Sequence, residues 1–303
     1  MFERQFNILI DPDFLFNFDN SRKNLPITPE DFVNGVRTNI VDIAKTRTGK
    51  VVLHTLKLWN NFVRIQPWDR DPKVCPPGGA LTDKQGLRDT QWNRLLPILG
   101  LVPDDFRKPI RALITYLPQS YAPGGGCYTR NADRDFSDFN PTPELVLLHE
   151  LVHAVRLTSS TFIENNRETF EGTRLNKYEN EEEFNAVLVE SIYQSELKGH
   201  IRNAHNAHWR DLEAELQDSF EFFKVSRKAF FAIDKFCKSN PHFTPRLCAI
   251  DVPFNPIRAY FHNRKKCEAF SNSIDAARHD NALVQGLGII SPSVPAAVWD
   301  RLL

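Results

Sequence analysis

The chain has 303 residues, enough to bury a full hydrophobic core, and its 38 basic and 38 acidic residues cancel. That balance excludes an overall field favouring nucleic acid or an anionic membrane as the main partner. Apolar runs reach about a dozen residues before a charge interrupts them, short of the roughly 20 that a bilayer-spanning helix needs.

The opening stretch MFERQFNILIDPDFLFNF carries Glu3, Asp11 and Asp13 where a cleavable signal peptide needs an unbroken apolar segment. The expectation is therefore a cytoplasmic protein, or one exported by a non-classical route. Five cysteines (Cys75, Cys127, Cys237, Cys248, Cys267) are an odd number without a CxxC pair. They predict reduced thiols rather than a disulfide framework or a thiolate zinc cage.

In chain order, FNILIDP alternates as an opening strand, and Thr28-Pro29 starts a helix with a cap and an N1 proline that runs to Thr46. KVVLHTLKLWNN predicts a second helix, FVRIQPW a strand, and the Pro- and Gly-rich residues 69–86 a loop. IRALITYLP is the strongest strand candidate, and CYTR after three glycines reads as a short strand. Thr142-Pro143 marks the start of another helix. Residues 158–177 are polar and irregular, then helix dominates: 181–199 and, unbroken, 207–237. The prolines from Pro241 onward predict a tail wrapped in short pieces. The expectation is one α+β domain, helix-rich, with residues 1–140 bearing a small twisted sheet and 141–303 the helical part.

LVLLHELVHAVRL, residues 145–157, holds His149, Glu150 and His153 in an apolar helical run. Residues four apart share a helix face, so both imidazoles can reach one ion while Glu150 stands beside it. The neighbours Leu147, Leu148, Leu151, Val152 and Val155 would bury this helix, and buried imidazoles are better accommodated on a metal than unpaired. Two histidines under-coordinate Zn²⁺; a catalytic zinc takes a third protein ligand and keeps one position for water, whose proton Glu150 would accept as general base.

The third ligand must come from downstream. Arg156 and Ser159 stand where the metzincin pattern needs Gly and His, and Leu175 in GTRLNKY stands where the aspzincin pattern needs a ligating Asp. The run NEEEFNAV offers Glu181, Glu182 and Glu183, about 100° apart on a helix, so one of them can face the metal. Glu183, with small Ala186 one turn on, is preferred; Glu182 is the alternative ligand or an outer support. His205 and His208 are three apart with no further ligand at a fitting distance, and read as surface histidines.

TPELVLLHELVHAVRL followed by EEFNAV resembles the NleD-type bacterial effector metallopeptidases and is similar to the clostridial neurotoxin light chains. The resemblance implies a zincin-like metallopeptidase fold, Zn²⁺ bound by His149, His153 and Glu183, and support from Glu182. It also implies cleavage of a specific host protein, with host signalling kinases as the model, after delivery into host cytosol. FFKVSRKAFFAIDKF is similar to the light-chain stretch that stabilises the oxyanion, which puts Arg227 in that role. Phe230 replaces the tyrosine of that pattern, leaving Tyr260 or Tyr128 as a second donor. Two other readings share the residues: a non-enzymatic interaction protein braced by a structural zinc, and a zinc hydrolase of a small amide.

Overall fold

The computed structural model describes residues 3–12, 27–59, 61–68, 71–73, 75, 81–84, 110–128, 141–161, 177–205 and 211–273. Four strands form one sheet: β1 (Ile8–Ile10), β2 (Phe62–Gln66), β3 (Leu81–Lys84) and β4 (Ile110–Thr115), in the order β1-β2-β4-β3. β1, β2 and β4 run parallel, and β3 lies antiparallel on β4 at the sheet edge. Ile110, Ala112 and Ile114 are buried on one face of β4 while Arg111 between them is exposed, the period-two alternation of a half-covered strand.

β1 leads into α1 (Pro29–Ile43) and α2 (Arg47–Leu58) before the chain returns as β2. Thr28 caps α1 as the proline signal predicted, its hydroxyl taking the Asp31 N–H while the Asp31 carboxylate takes the Thr28 N–H. Gly49 lets α2 begin earlier than expected: a Cβ there would lie 1.9 Å from the Ile43 carbonyl oxygen, so only glycine permits the sharp α1–α2 corner.

The central element is α4 (Pro143–Thr158), preceded by the four-residue α3 (Pro118–Tyr121). α4 lies against β2, β3 and β4 and also touches α1, α2 and α5 (Glu181–Leu197). Leu147, Leu148, Leu151, Val152 and Val155 are all buried, each worth about 1.5–3 kcal/mol in transfer terms. Its start is pinned where the Tyr116 hydroxyl, just past β4, donates to the Pro143 carbonyl at 2.7 Å and accepts from Asn39 of α1 at 2.7 Å. Thr142 is the cap residue, but its hydroxyl goes to the Glu144 carboxylate instead of a backbone N–H.

α6 (Arg227–Ser239), α7 (Thr244–Cys248) and α8 (Pro256–His262) follow in the helical half, with a further helical stretch over 264–273. The architecture is thus helix-rich α+β with a small sheet. No helix among the described residues is long and apolar enough to cross a membrane.

Four expectations are corrected. Residues 69–86 are not all loop, because Leu81–Lys84 pairs with β4. The helix over 207–237 does not run unbroken: residues 211–226 form turns and two short 3-10 segments, with Ser226 capping a new start at α6. The CYTR stretch is not a strand at its start, since 126–128 make a helical turn. Cys75 and Cys127 are not free thiols but a disulfide closing a separation of 52 residues, while Cys237, Cys248 and Cys267 stay reduced. Pro292 and Pro295 lie outside the described residues.

Candidate metal centre

α4 presents His149 and His153 one turn apart, and α5 crosses it with Ala186 fully buried. Asn180 caps α5 by accepting from the Glu183 N–H at 3.0 Å, which fixes the first turn and aims Glu183 at the histidines. Glu183 Oε2 is the hub of the cluster, 3.0 Å from His149 Nε2 and 3.1 Å from His153 Nε2; the two Nε2 atoms are 3.1 Å apart.

The three acidic candidates separate by direction, as 100° steps require. Glu182 turns away and clamps Arg156 of α4, Oε1 and Oε2 each 2.6 Å from a guanidinium nitrogen in a fully buried bidentate pair. Glu182 as the metal ligand is thereby corrected: its two oxygens are committed to Arg156, and its support of the site runs through α4. Glu181 pairs with Lys235 of α6 at 2.9 Å.

Among the described residues, three further side chains that the sequence did not mark as ligands reach the cluster. Glu190, seven residues after Glu183 and so close to the same face of α5, lies 3.2 Å from His149 Nδ1 and is ion-paired with buried Arg202. Arg202 also approaches His149 Nδ1 at 3.1 Å. With Glu190 accepting from Nδ1–H, the lone pair of a neutral His149 sits on Nε2, pointing into the cluster. His205 is the third. Its Nε2 is 3.1 Å from the same Glu183 Oε2, and its ring stacks on His149 with centroids 5.2 Å apart. The reading of His205 as an ordinary surface histidine is corrected; His208 lies outside the described residues.

Burial disfavours charge on His149, but Glu183 and Glu190 outweigh it and raise the imidazole to about 9 in the metal-free protein. Burial alone would raise the Glu183 carboxyl; His153, His149 and His205 around it hold it well below the usual carboxylate range. Imidazole nitrogens packed around one carboxylate oxygen leave too few protons for hydrogen bonds unless rings are charged, whereas a cation accepts every lone pair at once. Bonds of about 2.0–2.1 Å to a tetrahedral Zn²⁺ place donors about 3.3 Å apart, close to the 3.0 and 3.1 Å spacings among His149, His153 and Glu183. His149, Glu183 and His205 offer atoms within 4.8 Å of one another and can hold a metal ion, with His153 in the same cluster.

Comparison with protein-family models, curated proteins and solved structures returns no match.

Glu150 is buried beside the cluster but turned toward the sheet edge, where the Thr82 hydroxyl of β3 lies 2.6 Å from its Oε2 and 3.1 Å from its carbonyl oxygen. Arg227 stands exposed in the first turn of α6 with its guanidinium 5.5 Å from the Phe231 ring centroid; the guanidinium beside His149 is that of Arg202. Tyr260 donates to Asp234 at 2.6 Å, and Tyr128 sits in the 126–128 turn next to the Cys127 disulfide.

Proposed function

We propose that this chain is a zinc-dependent endopeptidase of zincin-like architecture. The observation that carries the reading is the meeting of Glu183 Oε2 with the Nε2 atoms of His149 and His153 at 3.0 and 3.1 Å, two helices converging at the HExxH face. Zinc, when bound, supplies a Lewis acid and lowers the pKa of a coordinated water to about 7. Glu150 takes the proton of the attacking water and returns it to the leaving amine, and Thr82 holds that carboxylate in place. Glu190, itself ion-paired with Arg202, accepts from Nδ1–H and so keeps His149 in the tautomer that leaves Nε2 for the metal.

A peptide substrate is supported by the position of β3. Among the described residues it is an edge strand, its Thr82 touches the general base, and an extended chain pairing along that edge would pass the reacting groups. The resemblance to NleD-type effectors makes a host protein the expected target.

The test is a search for new N-termini in cell lysate exposed to the zinc-loaded chain and to its Glu150→Gln variant. A defined set of cleavages made by the first and absent with the second supports the proposal; identical termini from both refute it. A second reading, a structural zinc bracing a partner-binding scaffold, is favoured by one observation: His205 brings a fourth protein donor, and closed four-ligand sites are structural.

A further inference from the structure

The chain is neutral overall, but its charge is not spread evenly: residues 220–270 hold ten lysines and arginines against four aspartates and glutamates. From this asymmetry, and from the aromatic rings set among those cations, we propose that the solvent face of α6, α8 and the helical stretch 264–273 docks on the surface of an anionic lipid bilayer. The proposal stands apart from the metal reading.

α6 meets α8 along a row of rings, Phe231, Phe230, Tyr260 and Phe261, with successive centroids 5.7, 6.2 and 5.7 Å apart. The inner two are buried, while Phe231 and Phe261 are 50% and 44% exposed and are the only exposed phenylalanines among the described residues. Arg264 is itself 47% exposed and lies over the Phe230 ring at 5.4 Å, so the seam between the two helices faces solvent on that side. The Arg227 guanidinium lies over Phe231 at 5.5 Å. Next to this row, Lys266 covers the rings of Phe220 and Phe270 at 4.0 and 5.4 Å, and Lys224 covers Phe270 at 4.9 Å. Cations and rings thus share one level of the surface. A phenyl ring has no hydrogen-bonding group and gains by leaving water for the acyl boundary, where the cations beside it stay among the lipid phosphates.

Three carboxylates interrupt the face and decide between anionic partners. Glu221 pairs with Lys224, Asp234 with Lys238 and Arg264, and Glu268 with Arg264. Lipid headgroups diffuse in the plane, so they gather at the cations and avoid the acids. A nucleic-acid backbone carries its charges at fixed spacing and would press some of them against these carboxylates. A protein partner needs about 800 Å² of matched surface on each side, whereas two separate rings bordered by long flexible cations suit a fluid surface.

Sedimentation of the full chain with vesicles tests the assignment, using phosphatidylcholine alone and phosphatidylcholine with phosphatidylserine at roughly 3:1. Expected is partition onto the mixed vesicles alone, strong at low salt and weakened as salt screens the cations. Phe231→Ser combined with Phe261→Ser should lower that partition about tenfold, and Lys266→Gln about fivefold. Leu58→Ser, which removes an exposed leucine at the end of α2, should bind as the parent does. Phe261→Ser alone, with about a threefold loss, repeats the test if the double variant does not fold. Absence of the parent from the mixed vesicles would overturn the proposal, as would equal partition by the phenylalanine variants. Capture of the parent by an immobilised polyglutamate peptide or a single-stranded oligonucleotide, without vesicle binding, would give the face to a protein or nucleic-acid partner and overturn the bilayer.

Discussion

Thr82 on the edge strand and Glu150 on the central helix meet at 2.6 Å, hydroxyl to carboxylate, so the proposed base is positioned by the sheet and not by its own helix. Thr82→Val keeps the shape and β propensity of the side chain and removes the donor. A hydrogen bond to a charged group is worth about 1.5–3 kcal/mol, so peptide cleavage should fall about ten- to hundredfold with metal content unchanged. Steady-state kinetics beside metal analysis checks it; equal kcat/KM in both proteins would show that Glu150 is held otherwise.

Arg156 and Glu182 form a buried pair between α4 and α5, with the Arg156 guanidinium also over the Phe236 ring at 5.1 Å. Arg156→Met removes the buried guanidinium that both Glu182 oxygens hold, and should cost about 3–5 kcal/mol. Denaturant unfolding measures this. A loss below about 1 kcal/mol would mean the pair behaves as an exposed one.

Metal binding should expel a proton. His149 is raised from 6.5 to about 9 in the metal-free protein, so it is charged at neutral pH and must deprotonate to bind. The sign follows from the raised value: stability from charged His149 is full below about 6.5 and is lost as pH rises through about 9. Zinc titrations by calorimetry at about pH 7.5, in buffers of different ionisation enthalpy, should report about one proton released, falling toward none well above pH 9. A release independent of pH across that range would contradict the assignment.

Reduction of the Cys75–Cys127 disulfide frees a 52-residue separation, and chain entropy puts its contribution at about 4 kcal/mol. The intact bond should show as a two-dalton mass difference on reduction, and the reduced protein should unfold at lower denaturant concentration. Two free thiols at these positions in the native protein would contradict the pairing.

The sequence made legible what local rules decide. Thr28 and Thr142 followed by proline marked two helix starts, and the four-residue spacing of His149 and His153 marked one face. The choice of Glu183 over Glu182 rested on small Ala186 and on the resemblance, and the structure directs these two carboxylates to different partners. Glu190 was within reach of the same reasoning, since seven residues is two turns, but nothing marks an outer carboxylate until its histidine is in place. β3 was hidden because LTDK has weak strand propensity and exists as a strand through pairing with β4. His205 and the disulfide depend on chain segments brought together only by the tertiary fold, which no local pattern encodes.

The most direct test of the central claim is zinc content after dialysis against a weak chelator, measured by elemental analysis on the parent chain and on Glu183→Ala. One zinc per chain in the parent and its loss from a folded variant is the predicted result. A parent that holds no zinc, or a variant that holds as much as the parent, would contradict a metal centre built on His149, His153 and Glu183.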